Sequence, residues 1–183
     1  MTGVQTCALP ILKNITYLLF LSIIISSCNK SDDYLYKIHE GKFDEIGVPS
    51  GYKNSKGDTI INIGVYKYCY TDTIKHFGIV MTNENVLIGI DKKNNKLFEI
   101  LWFDNGPDYI SDGLFRIIKD NKIGYADQNG KIIIEPKFDC AFPFENGIAK
   151  VSYKCSTEKD GEHSTWKSND WFYVNKKGAI IKH

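Results

Sequence analysis

The chain has 183 residues, and its 23 Lys and Arg against 22 Asp and Glu leave a formal net charge of +1 at neutral pH. That balance lacks the basic stripe needed to neutralise phosphates, which excludes a dedicated nucleic-acid binder. Eleven Tyr, ten Phe and frequent Ile are strand-forming material, and few segments would make good helices.

Met1 to Ile11 resembles a translated sequencing-library adapter. These residues are expected to be a non-native leader, with the true start at or beside Leu12. Tyr17 to Ile25 is nearly all apolar, within a stretch from Ile15 to Ser27. A spanning helix needs about 20 apolar residues, so the stretch has signal-peptide length, with Lys13 as its positive n-region. The competing reading is a membrane anchor lengthened by Ala8, Leu9, Pro10 and Ile11, but Lys13 and Pro10 interrupt that longer run. Ile25-Ser26-Ser27-Cys28 looks like the lipobox of a bacterial lipoprotein. That resemblance implies lipidation of Cys28, a signal peptide over 12–27, and a membrane contact through an N-terminal lipid. Asn29-Lys30-Ser31-Asp32-Asp33 is similar to the surface-export signal of Bacteroidota lipoproteins, and the plain alternative is a solvated tether. The expected address is the cell envelope: an outer-membrane lipoprotein, surface-exposed or otherwise facing the periplasm.

Residues 28–48 read as a tether and N-terminal cap, and 49–183 as a repeat domain. The roughly 155 residues from Cys28 onward suffice for one domain with a real core. Within it the sequence repeats. Gly51-Tyr52-Lys53-Asn54-Ser55-Lys56-Gly57 precedes Thr59-Ile60-Ile61. Gly124-Tyr125-Ala126-Asp127-Gln128-Asn129-Gly130 precedes Ile132-Ile133-Ile134. Phe172-Tyr173-Val174-Asn175-Lys176-Lys177-Gly178 precedes Ala179-Ile180-Ile181. A degenerate copy runs from Ile88 through Asp91 to Asn95, then Leu97-Phe98. The turn positions Gly57, Asn95, Gly130 and Gly178 lie 38, 35 and 48 residues apart, a period that signals repeated supersecondary units. In the three full copies an Asn or Asp (Asn54, Asp127, Asn175) stands three residues before Gly. Its side chain can cap local amides, and Gly can take the left-handed conformation that closes the hairpin. Asn95 is expected to replace Gly in the degenerate copy, since Asn tolerates positive φ.

A second turn follows. Asp112-Gly113 and Asn146-Gly147 lie 34 apart and are strong turn signals. After the second, Ala149, Val151 and Tyr153 alternate with Lys150, Ser152 and Lys154, the pattern of a strand with one buried face. Between Cys155 and Trp171 lies a polar, turn-rich insertion that reads as a surface loop. Pro136, in Glu135-Pro136-Lys137, is expected to end the preceding strand at a bend.

Gly-Tyr-x-Asp-x-x-Gly-Lys-Ile-Ile-Ile-x-Pro-Lys-Phe-Asp, then Phe-x-x-Gly-Ile-Ala-x-Val, resembles the WG-repeat (KWG) family, best over Gly124 to Val151. The resemblance covers roughly 51–183. Ile123-Gly124 stands where the family has Trp-Gly, and no copy keeps Trp followed by Gly. The resemblance implies an all-β array of repeated β-hairpins with a binding or scaffolding role, and no catalytic residues. Whether the hairpins form a solenoid, a curved sheet or a barrel is open.

Chemistry-bearing residues are sparse. His39, His76, His163 and His183 show no metal spacing. Cys69, Cys140 and Cys155 lack a Cys-x-x-Cys pair. One bridge between any two of them is allowed outside the cytoplasm, but ordinary partly buried cysteines are the favoured reading. A thiol–imidazole pair of Cys140 or Cys155 with His163 has no local support. Asp104, Asp108 and Asp112 do not fit an EF-hand and read as turn acids. No metal and no cofactor are expected. Tyr66, Tyr68 and Tyr70 alternate, so they would share one strand face. That face is either core or an exposed aromatic platform for glycans or protein. Trp102 with Phe103, and Trp166 with Trp171, carry the same ambiguity.

The expected function is non-catalytic binding or scaffolding at the envelope, with an unidentified protein or glycan partner. One alternative is a glycan-capture accessory lipoprotein using the tyrosine face. The other is an envelope hydrolase whose acid pair or Cys–His pair is assembled by the repeats.

Overall fold

The computed structural model describes residues 33–45, 47–161 and 163–181. The leader, signal segment and Cys28 lie outside the described residues.

The described chain is all-β, without helix, and is built from four antiparallel three-stranded meanders. The first comprises β1 (Leu35–His39), β2 (Ser50–Lys53) and β3 (Thr59–Tyr66). A short strand, β4 (Tyr68–Cys69), and then β5 (Thr73–Ile74) lead to the second meander. This consists of β6 (Phe77–Met81), β7 (Leu87–Asp91) and β8 (Lys96–Ile100). A two-stranded hairpin follows, of β9 (Trp102–Phe103) and β10 (Gly106–Pro107). The third meander is β11 (Leu114–Lys119), β12 (Lys122–Asp127) and β13 (Ile132–Phe138). After β14 (Cys140–Ala141) and β15 (Ile148–Ser152) comes an inserted hairpin, β16 (Ser156–Asp160) and β17 (His163–Lys167). With β15, β18 (Phe172–Asn175) and β19 (Ile180–Ile181) complete the fourth meander.

One rule links the units. The end of a meander's third strand, or the short strand just beyond it, pairs with the first strand of the next. Thus β4 pairs with β6, the end of β8 with β11, and β14 with β15. The sheets run β3-β2-β1-β5, β13-β12-β11-β8-β7-β6-β4 and β14-β15-β18-β19, all open, so no barrel closes.

The core is divided to match. One buried cluster joins Leu35, Tyr52 and Ile61 of the first meander to Val80, Ile88 and Ile90 of the second. A second joins Leu87 and Phe98 to Phe115, Ile117 and Ala126. A third joins Tyr125, Ile134 and Phe138 to Ala149, Val151 and Val174. Each meander therefore buries its apolar face on its neighbour, as stacked repeats must. Each large side chain so buried contributes about 1.5–3 kcal/mol.

The primary turns are superimposable in their bonds. Asn54, Asp91, Asp127 and Asn175 each accept two backbone amides on Oδ1, from the residues two and four positions on, at 2.8–3.1 Å. Each also accepts, on its carbonyl, the amide three residues on: Gly57, Asn94, Gly130 and Gly178. Those four have φ of 92°, 65°, 78° and 76°. In the degenerate copy the left-handed residue is therefore Asn94, not Asn95. Counting three residues from the capping acid lands on Asn94, and Asn95 instead bonds back to Asp91. Asp112-Gly113 and Asn146-Gly147 both have positive φ at each residue, the signature of two-residue hairpin turns.

The glycine before the repeat tyrosine has a different task. A Cβ on Gly124 would meet Ile134 O at 2.5 Å and Pro136 N at 2.6 Å. One on Gly51 would meet Asn62 C at 2.8 Å. In both places the third strand bulges towards the second. This explains Pro136, which does not end its strand: β13 runs through it to Phe138. The strand lies at a sheet edge, where a proline costs no ladder bond.

Two further expectations change. Within the 28–48 tether and cap, Leu35–His39 form the strand β1, paired with β2 through four residues, so the first meander begins ahead of residue 49. The insertion after Cys155 is a hairpin rather than an irregular loop, and Cys140 and Cys155 are disulfide-bonded at its base, with Cα atoms 6.2 Å apart. Cys69 is free and buried.

Candidate ligand-binding groove

Tyr66, Tyr68 and Tyr70 do not form an exposed platform. Tyr66 is 8% and Tyr68 7% exposed, and they belong to different core clusters. The chain kinks at Lys67, between β3 and β4, so the period-two alternation breaks there. The Tyr66 hydroxyl donates to Asn94 Oδ1 at 2.6 Å and holds the next unit's left-handed turn. Tyr68 lies under Lys37, whose ammonium is 4.4 Å from the ring centroid and 3.2 Å from the hydroxyl. Burial works against the Lys37 charge, but Asp44 at 2.5 Å and Tyr68 outweigh it and raise its pKa. Tyr70 packs edge-on against Tyr68, and burial pushes its phenol up.

A group of exposed aromatics lies instead at the junction of the second, third and fourth units, while Tyr36, Phe43 and Tyr153 are exposed away from it. Trp102, Phe103 and Tyr109 are 44%, 47% and 44% exposed. They flank a groove of about 600 Å³. The β9–β10 hairpin carries Trp102 and Phe103 as one wall. Tyr109 meets the Phe103 ring edge-on, with centroids 4.8 Å apart. The inserted hairpin supplies the opposite wall through Ser164, Thr165 and Trp166. Phe142 and Pro143, just past β14, line the groove between them, and Phe142 lies 5.4 Å from both Trp166 and Trp171. The Cys140–Cys155 bridge fixes the base of the Trp166 hairpin. Beside it, the Ser152 and Ser168 hydroxyl oxygens lie 2.8 Å apart, each within hydrogen-bond distance of the Lys154 carbonyl, at 2.8 and 2.7 Å.

Arg116 also lines the groove, beneath the Phe103 ring at 5.8 Å. It is committed to Asp108: Nη2 to Oδ1 at 2.5 Å, Nε and the Arg116 amide to Oδ2 at 2.9 and 2.7 Å. Nη1 donates to the Ala141 carbonyl. Arg116 and Asp108 are 4% and 5% exposed, so this pair is structural, and Asp108 is not a turn acid. Asp104 and Asp112 do sit at turns, with φ of 53° each. Asp112 also ties two second turns together by accepting the Gly147 amide at 2.6 Å.

Beyond the Phe142–Pro143 ridge lies a smaller depression of about 410 Å³, lined by Lys150 and Tyr173. Glu145 borders both depressions and is the one carboxylate among the described residues lining the larger. The Lys150 ammonium stands 4.9 Å over the Trp171 ring and 5.9 Å over Phe142.

Among the described residues, no three His, Cys, Asp or Glu cluster to hold a metal. Cys140 and Cys155 are spent on each other. Burial pushes the Cys69 thiol up, although contacts with Ser50 and Tyr52 work against this. At the degenerate turn, slight burial favours the neutral Asp91 carboxyl, but bonds from Asn95 and the Lys93 amide hold it below the usual range.

The groove-lining aromatics come from three segments, with Phe142 and Trp166 24 residues apart and Trp102 and Trp166 64 apart, so no local pattern joined them. The signal in the sequence was the pairing of exposed Trp with Phe or Trp at the two insertions.

Residues 123–154 match the family model of the WG containing repeat. The match spans β12 to β15, from Ile123 in the place of the repeat's Trp to Lys154 at the base of the inserted hairpin. This stretch of the array is thus similar to a WG-type repeat. No curated protein and no solved structure matches it.

Proposed function

We propose that this is a non-catalytic binding module of the bacterial cell envelope, a WG-repeat lipoprotein of Bacteroidota type tethered through Cys28. Its partner, protein or glycan, docks in the aromatic groove between the two inserted hairpins. The observation that carries this reading is the concentration of exposed Trp102, Phe103 and Tyr109 in one groove. A soluble repeat protein gains no stability by holding such rings out, whereas binding sites are enriched in them. The stacked meanders provide the rigid base that a preformed site needs. Glycan capture remains the second reading, transferred from the tyrosines of β3 and β4 to this groove, because flat exposed rings suit sugar faces. A hydrolase would need a second carboxylate near Glu145, and the groove lining offers none among the described residues.

The test joins address and site. The chain is expressed from Leu12 in a Bacteroidota host, as wild type and Cys28→Ala, with a fatty-acid label and protease treatment of intact cells. Label lost in the variant, with cleavage of the wild type, is the expected result. Absence of label in the wild type would overturn the lipoprotein reading. Purified Cys28→Ala protein, with and without Trp102→Ala, is then titrated with protein and glycan probes while tryptophan fluorescence is followed.

A further inference from the structure

The groove carries a carboxylate, that of Glu145, which has no ion-pair partner among the described residues. Glu145 is exposed. Arg116, which lines the same groove, is spent on Asp108, and Lys150, which lines the smaller depression beside Glu145, stands over Trp171 and Phe142 and makes no ion pair with it. The turn does not require this acid. Glu145 closes its two-residue turn with backbone bonds to Ile148, and Ser111 makes the same pair of bonds with Leu114 in the preceding unit. The carboxylate is thus free for another task.

The rings around it already host cations. Lys150 stands over Trp171 and Phe142, and the Arg116 guanidinium lies over Phe103. Aromatic faces are negative, and a cation over one gains about 0.5–2 kcal/mol, more as water is excluded. Trp102, Tyr109 and Trp166 line the same groove with no cation over any of their rings among the described residues.

We propose that the groove seats a basic side chain, lysine or arginine, of a partner protein, with its charge at Glu145 and its stem along Trp102 and Trp166. This rests on reading the groove as a binding site and names the chemistry of its occupant. Charge complementarity decides against acidic glycans and phosphates, which Glu145 would repel. The open groove of about 600 Å³ leaves room for residues flanking the inserted side chain.

The probe is an acetylated, amidated Gly-Gly-Lys-Gly-Gly peptide, beside twins carrying norleucine or glutamate in place of lysine, and a neutral oligosaccharide. The protein is the full chain with Cys28→Ala, and the readout is the indole resonances of its three tryptophans. The lysine peptide is expected to shift Trp102 and Trp166, and to bind at least about tenfold more tightly than the norleucine twin. Trp171, already covered by Lys150, should stay in place. Glu145→Gln, an exposed change that should leave the thermal midpoint untouched, is expected to abolish that preference, and raised salt to weaken it. Equal binding of lysine and norleucine peptides, or a preference that survives Glu145→Gln, overturns the proposal. Shifts with the oligosaccharide alone also overturn it, while leaving the groove a binding site. Silence of Trp102 and Trp166 towards every probe removes both readings.

Discussion

Tyr52 and Tyr125 occupy the same place in the first and third meanders, and each donates its hydroxyl at 2.7 Å to a main-chain carbonyl seventeen to nineteen residues on, Thr71 and Phe142. Both rings are fully buried. The bond ties the second strand of a unit to the connection leading to the next, so it sets the angle at which units follow one another. Tyr52→Phe and Tyr125→Phe should each lower stability by about 1 kcal/mol, since each leaves a carbonyl without its donor. The two losses should add, because the residues lie in separate clusters. Urea unfolding of the single and double variants is the measurement, and midpoints equal to wild type would refute the role.

The same burial makes the fold sensitive to alkali. It pushes the phenols of Tyr52 and Tyr125 far above their ordinary value, and those of Tyr66 and Tyr70 in the same direction. Above pH about 10 an unfolded tyrosine loses its proton while these keep theirs. Unfolding then releases protons, and stability falls as pH rises. Lys37 acts with the same sign. Its raised pKa gives a contribution fully present below about 10.5 and lost as pH climbs through the folded value. Tyrosinate absorbance should therefore rise in two waves, the second coinciding with loss of the far-ultraviolet β signal. A single wave near pH 10 with the β signal retained would contradict this.

The turns were the most legible part of the sequence because their chemistry is local: a capping Asn or Asp and a left-handed residue three positions on. The one slip, Asn95 for Asn94, arose because two adjacent asparagines satisfy the composition and only the count separates them. The structure makes them unequal. Asn94→Ala puts at φ 65° a residue without the short polar side chain that makes the left-handed conformation tolerable, and removes the acceptor of Tyr66, which should cost about 1–2 kcal/mol. Asn95→Ala removes an exposed side-chain bond to Asp91 and should change stability by less than about 0.5 kcal/mol. Thermal melts of the two variants decide, and the reverse order would restore the Asn95 register.

Long-range features were not legible. Strand β1 escaped because Lys37 stands where a core residue would show the alternation, and its burial depends on Tyr68 and Asp44. The cysteine pairing likewise depends on β14 and the start of β16 being brought together by the fold. Closing a loop of this length contributes about 3 kcal/mol through the unfolded chain. Cys140→Ala with Cys155→Ala, or reduction of the wild type, should lower stability by about 2–4 kcal/mol. Cys69→Ala should leave the response to reductant unchanged. Insensitivity of the urea midpoint to reductant would show that the bridge does not form.

Asp108 was legible only as one acid among three, because its partner Arg116 lies eight residues on, across the Asp112-Gly113 turn. The pair is buried and saturated with bonds, and the energetics of such pairs are asymmetric. Removing one partner strands a charge, whereas replacing both with apolar groups returns most of the loss. Asp108→Asn should therefore cost about 3–5 kcal/mol, and Arg116→Met a similar amount. The double variant Asp108→Leu with Arg116→Met should recover most of it. That double variant also removes the bond by which Asp108 holds the Arg116 amide, so recovery should stop about 1 kcal/mol short of wild type. If the double variant were as unstable as the sum of its parts, the pair would be two independent anchors of the groove rather than one neutralised unit.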